Sequence, residues 1–254
     1  MPRASTRKNF HNSNFIRVLS DLALVEAFEP GVAFAEKLGA WLSLDDAITL
    51  HAVHVTGSTT PLSRSGATGT ITLNEEFTRL RTRLGKLDAP TESTRLSSTR
   101  RNAPSTPSDE PLDLATSHDP YRRYYLAQQR EMEASIHPFR VKVREVLAST
   151  SPTLAKLAAL DAVFDSSLCD RERKLFSRVS SLLEKRFKQL HQTHQQALAG
   201  TPEADNPVLG MNARDWLAHF WQEFQAVILA ELDARLEPTL GLIEALNHEM
   251  TQHP

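Results

Sequence analysis

Residues 212–248 read NARDWLAHFWQEFQAVILAELDARLEPTLGLIEALNH, and Trp216, Phe220, Phe224, Ile228, Leu232 and Leu236 recur there at every fourth position. That spacing belongs to a helix, where residues four apart share a face, and not to a strand, whose successive side chains alternate between faces. Asn212 to Asp215 supply a capping side chain and an early acid. Pro238 lies inside the pattern, where its missing N–H predicts a bend. A helix with so oily a stripe must bury it against other elements.

Partners of the same kind lie upstream. Asp119-Pro120 offers a cap followed by a proline in the first turn, and Tyr121, Tyr124, Tyr125, Gln128 and Met132 climb the turns that follow. Pro138 predicts a kink or break within this segment, which runs to Ser149. Ser151-Pro152 repeats the start signal, and apolar positions from Leu154 through Phe164, Leu175, Val179, Leu183 and Phe187 to Leu190 continue until Gly200-Thr201-Pro202. The expected fold class is therefore all-α. Residues 119–250 should form a long antiparallel bundle of about three Pro-kinked helices with coiled-coil-like packing. Residues 119–199 carry 14 Lys/Arg against 9 Asp/Glu, and residues 212–254 carry 2 against 7. Opposite net charge on adjacent helices favours closure, but modestly, since an exposed pair contributes under about 1 kcal/mol. Burial of large apolar side chains, roughly 1.5–3 kcal/mol each, must dominate.

The N-terminal part reads differently. Residues 1–12 are a basic tail expected to be disordered. Residues 13–55 read as a short-helix element: Phe15, Ile16, Leu19 and Leu22, then Phe34, Leu38, Trp41 and Leu42, then Leu44, Ile48, Leu50 and Val53 behind the cap Ser43 and the first-turn acids Asp45 and Asp46. Residues 56–118 are rich in Gly, Ser, Thr and Pro and are expected to be a flexible linker. One helix near 73–87 interrupts it, started by the capping-box pattern Thr72–Glu75 and carrying Phe77, Leu80, Leu84 and Leu87.

Composition narrows the function classes. The formal charge of −2 over 254 residues gives no bulk attraction for nucleic acid. The single cysteine, Cys169, cannot form an internal disulfide. No apolar run approaches the length of a membrane span, and residues 1–15 lack the core of a secretory signal. A cytoplasmic protein without membrane insertion is the expectation.

Candidate chemistry is sparse. His51 and His54, and again His191 and His194, sit three apart, yet a metal site needs three or four ligands and none is spaced to complete either pair. Cys169 neighbours Arg171 and Arg173, but a free cysteine beside Leu168 reads first as an apolar-face residue. Residues 171–188 hold Arg171, Arg173, Lys174, Arg178, Lys185, Arg186 and Lys188, a stripe that nucleic acid would want. Asp170, Glu172 and Glu184 interleave with it, so nucleic acid is the alternative and not the expectation. No phosphate loop, dinucleotide fingerprint, zinc-protease helix or serine elbow occurs. The reading is a non-enzyme without catalytic residue, cofactor or metal, whose partner is another protein or a second copy of the chain. The side chains singled out for an interaction surface are Trp41, Tyr121, Tyr124, Trp221, Arg178 and Arg186.

Two stretches, FIRVLSDLALVEAFEPGVAFAEKLGAWLSLDDAITLHAVH at 15–54 and YRRYYLAQQREMEASIHPFRVKVREVLASTSPTLAKLAALDAVFDSSLCDRERKLFSRVSSLLEKRF at 121–187, resemble a bacterial family called domain of unknown function 3348. The resemblance brings no assigned activity, cofactor or catalytic residue. It implies an accessory role beside membrane-anchored, cell-wall-linked proteins.

Overall fold

The stripe that begins at Trp216 is buried along its whole length: Trp216, Phe220, Phe224, Ile228, Leu232 and Leu236 are each 4% exposed or less. The computed structural model describes residues 14–22, 39–55, 67–87, 117–199 and 213–252. Among them every regular element is helical: α1 (Asn14–Asp21), α2 (Leu44–Val55), α3 (Ala67–Leu84), α4 (Asp119–Thr150), α5 (Pro152–Ala199) and α6 (Ala213–Gln252). The all-α architecture follows the expectation.

Geometry explains why α6 is central. A step of four residues advances about 40° round a helix, so the five steps from Trp216 to Leu236 sweep roughly 200°. One neighbour cannot cover such an arc. Trp216 and Phe220 meet Phe187 of α5, with ring centroids 5.2 and 5.1 Å away. Phe224 meets Tyr125 of α4 at 6.1 Å. Asp233 and Asn247 take hydrogen bonds from Arg81 and Asn74 of α3 at 2.9 and 3.1 Å, and α1 packs on α6 as well. The long helices run antiparallel where the chain connects them. Arg140–Asp161 and Arg173–Glu133 fix the register of α4 against α5, and Arg186–Glu223 and Arg235–Glu172 that of α5 against α6.

Several expectations are corrected. The helix expected near 73–87 is α3, Ala67–Leu84, and it begins before Thr72, so the Thr72–Glu75 pattern lies within the helix and not at its cap. Nor is α3 an island in a tether. Leu73 and Leu84 are 2% and 3% exposed, and Phe77 and Leu80 join two core clusters, one around Phe224 and one around Val143 and Ile243. Burial here outweighs the poor local helix propensity of Thr68, Gly69 and Thr70. The N-terminal element packs on the bundle: Phe15 and Leu19 of α1 belong to the main core, and α2 lies on α5. Pro138 and Pro238 do not break α4 or α6. Each removes one hydrogen bond, while buried Ile136 and Phe139, or Leu236 and Thr239, hold the turns on either side. The cap of α4 is His118 and not Asp119, with Asp119 N–H donating to Ser117 Oγ at 3.3 Å. Ser151 caps α5 as expected, accepting from Leu154 N–H at 3.2 Å. The basic tail 1–12, the helix around Phe34 and Leu38, residues 56–66 and 88–116, Gly200-Thr201-Pro202 and the cap Asn212 lie outside the described residues.

Candidate functional site

α2 lies on α5, is tied at its N-terminal end, and leaves an apolar ridge outward. Asp46 N–H donates to Ser43 Oγ at 3.1 Å, and Ser43 N–H and Oγ donate back to Asp46 Oδ2 at 2.9 and 2.7 Å, a reciprocal capping box. The other Asp46 oxygen accepts from Ser167 Oγ of α5 at 2.6 Å. The Ser167 hydrogen bond, then those from Ser43, hold the Asp46 carboxyl below its usual range. Leu50 and Val53 turn toward the bundle and are half-buried, but no residue of α2 is fully buried. Leu44, Ile48 and Val55 are 78%, 59% and 66% exposed, and Trp41 just before the helix is 38% exposed. Leu44, Ile48, His51 and Val55 follow a 4-3-4 spacing, so they form one ridge.

The other singled-out residues divide sharply. Tyr121 is buried, ringed by Phe187, Phe220, Phe224 and Trp221, and burial pushes its hydroxyl pKa up to about 12. It is therefore a core residue and not an interaction anchor. Tyr124 and Trp221 are half-buried and lie edge to face at 5.7 Å, with Trp221 also stacked on Phe224 at 5.4 Å. Their aromatic faces are mostly occupied by one another. Arg186 is bidentate on buried Glu223, at 2.8 and 2.5 Å, which raises the guanidinium pKa through those hydrogen bonds. It too is structural. Arg178 is exposed. Within 171–188, Arg173 is also paired, with Glu133, and Lys188 with Glu184. Arg171, Lys174, Arg178 and Lys185 remain as the outward cations.

The match to known families is now decisive. A family model described as Protein of unknown function (DUF3348) matches residues 1–248. The chain belongs to this family. The DUF3348 match spans α1 to α5 and nearly all of α6, including the 56–118 stretch that separates the two resembling segments. No curated protein and no solved structure matches the chain.

The sequence reading missed the polar interior of this DUF3348 protein. Glu231 is fully buried on α6. It accepts from the Tyr125 hydroxyl, from Gln129 Nε2 at 2.9 Å and from Arg235 at 2.9 Å. Arg235 in turn lies over the Phe176 ring at 4.0 Å. Arg140 and Arg144 of α4 grip Asp161 and Asp165 of α5 in a part-buried quartet with contacts of 2.5–2.9 Å. Beside them a cleft of about 280 Å³ is lined by His137, Asp165, Cys169, Glu172 and Arg235 among others. Cys169 is thus a wall of a polar cleft and not an apolar-face residue. Its Sγ donates only to Asp170, at 3.9 Å. Burial raises the Glu172 carboxyl pKa against the opposing pull of Arg235. The cleft's cations and acids are tied to each other in ion pairs, Arg140 with Asp165, Arg173 with Glu133 and Arg235 with Glu172. Among the described residues no group of three His, Cys, Asp or Glu is placed to hold a metal, and no helix is long and apolar enough to cross a membrane. His191 and His194 pack against Trp216 at 5.4 and 6.1 Å instead.

Proposed function

We propose that the protein is a non-enzymatic helical adaptor, whose α1, α3, α4, α5 and α6 form a rigid body that holds α2 out as a docking ridge for an apolar helix of a partner. The observation that carries this reading is the exposure of Leu44, Ile48 and Val55 on a helix whose polar cap is fully satisfied. Covering three large aliphatic side chains yields roughly 1.5–3 kcal/mol apiece, enough to offset part of the cost of association. Helix-on-helix docking through an i, i+4, i+7 ridge is a recurrent mode of recognition. The family resemblance supports an accessory place beside a membrane- or cell-wall-linked complex, on the cytoplasmic side.

Quantitative affinity capture tests the proposal with the wild type and with Ile48→Asp and Leu44→Asp, two variants at exposed positions that leave the core untouched. Partners captured by the wild type should be lost with both variants. An unchanged set of partners would overturn the reading. The alternative, a nucleic-acid accessory factor using 171–188, draws support only from the four outward cations. Its required result is retention of DNA or RNA that weakens with salt.

A further inference from the structure

Two exposed ridges on the long helices are complementary in charge and spacing, yet no ion pair joins them within the chain. On α5, Arg171, Lys174, Leu175 and Arg178 stand at i, i+3, i+4 and i+7, all exposed, with Leu175 54% exposed. On α6, Glu237, Leu240, Gly241 and Glu244 stand at the same intervals, all exposed, with Leu240 36% exposed. Each set is therefore a two-turn stripe on one helix face. Among the described residues neither the three cations nor the two acids make an ion pair, while Arg173, Arg186 and Lys188 on the same helix do. Open space lies above Gly241, where an added Cβ would meet nothing within 4 Å.

Laid antiparallel, the stripes match position by position. Glu237 falls opposite Arg178, Leu240 opposite Leu175, Glu244 opposite Arg171, and the bare backbone at Gly241 gives room to the long Lys174 side chain. Inside one chain α5 and α6 are also antiparallel, but Glu172 is set beside Arg235 and Arg186 beside Glu223. That register offsets the two stripes by about two turns, and no ion pair joins them within the chain. We propose that the α6 stripe of one copy docks antiparallel on the α5 stripe of a second copy. The contact is heterologous, so each copy offers both halves, and the assembly closes as a ring or extends as a filament according to the angle between successive copies. A two-turn patch lies at the small end of specific interfaces, which makes the association concentration-dependent and, through its ion pairs, salt-sensitive.

This inference concerns different helices from the α2 docking ridge and stands or falls separately from it. Sedimentation velocity of the full chain across a concentration series, at low and at physiological salt, is the test. Wild type should self-associate, more weakly at higher salt. Arg178→Glu and Glu237→Arg should each weaken association by about ten-fold or more, since like charges then face each other. The double variant should regain it, and so should an equimolar mixture of the two single variants. Lys185→Glu, on the same helix but opposite no acid in this register, and Ile48→Asp on α2 should leave it unchanged. A wild type that stays monomeric throughout overturns the proposal. So does a double variant no better than the singles, or a Lys185→Glu loss equal to that of Arg178→Glu, which would mark a general attraction for polyanions.

Discussion

Replacing Leu73 with Ala tests whether α3 belongs to the core. Leu73 is 2% exposed and packs in a cluster with Val143, Leu147, Leu242, Ile243 and Leu246 from α4 and α6. Truncating a buried leucine costs the transfer free energy of the lost atoms plus a cavity term, together about 2–5 kcal/mol. A domain holds only about 5–15 kcal/mol in all, and each kcal/mol moves the melting point of a protein this size by roughly 2–4 °C. A loss near 3 kcal/mol should therefore lower Tm by about 6–12 °C. Arg79→Ala on the same helix is the control. Its pair with Glu75 is 2.8 Å long, but the side chains are 74% and 57% exposed, so its removal should cost under about 0.5 kcal/mol. Urea denaturation followed by far-ultraviolet circular dichroism measures both at an unchanged m value. A Leu73→Ala cost under about 1 kcal/mol, or an early separate transition in which α3 alone melts, would refute the placement of α3 in the shared core.

Glu231→Ala strips Arg235, whose side chain is 11% exposed, of its closest acid and should cost about 3–5 kcal/mol in chemical denaturation; a loss below about 1 kcal/mol would mean that Glu172 or water takes over. Ser43→Ala removes the α2 cap, worth about 1 kcal/mol, and the effect should be local: faster hydrogen exchange in α2 with little change in global Tm. The raised Tyr121 pKa makes a prediction for alkaline solution. A group whose folded value lies above its unfolded one stabilises the fold fully below the unfolded value of 10.0, and loses that contribution as pH climbs to the folded value of about 12. Tyr125 is shifted the same way, first by burial and then by the adjacent Glu231 charge. Phenolate absorbance and circular dichroism should accordingly report tyrosine ionisation and unfolding together in that window, and independent titration at ordinary tyrosine pH would contradict the burial of both rings.

Much of the fold was legible because its determinants are local and periodic. The every-fourth-residue pattern from Trp216 and the caps Ser43 and Ser151 act within one helix. What escaped is what depends on registers between helices. Arg140 and Arg144 read as an i, i+4 pair, and so do Asp161 and Asp165, but only the hairpin about Ser151 brings them face to face. Averaging charge over residues 119–199 conceals that quartet. Glu231 interrupts the apolar run Ala226–Leu232, a visible anomaly whose partners Tyr125 and Gln129 lie a hundred residues away. α2 is apolar on both sides, so periodicity could not say whether Leu44 and Ile48 or Leu50 and Val53 would turn inward. α3 was misjudged because its first turn contains poor helix formers, and the packing of Leu73 that compensates is tertiary.

The central place of α6 has a consequence for how the protein is made. Translation delivers α1 through α5 before the one helix that all but α2 rest upon. Until residues 213–252 have left the ribosome, the rings of Phe220 and Phe224 that cover Tyr121, Tyr125 and Phe187 are missing, and a chain that stops before α6 keeps that side of its aromatic cluster open to water.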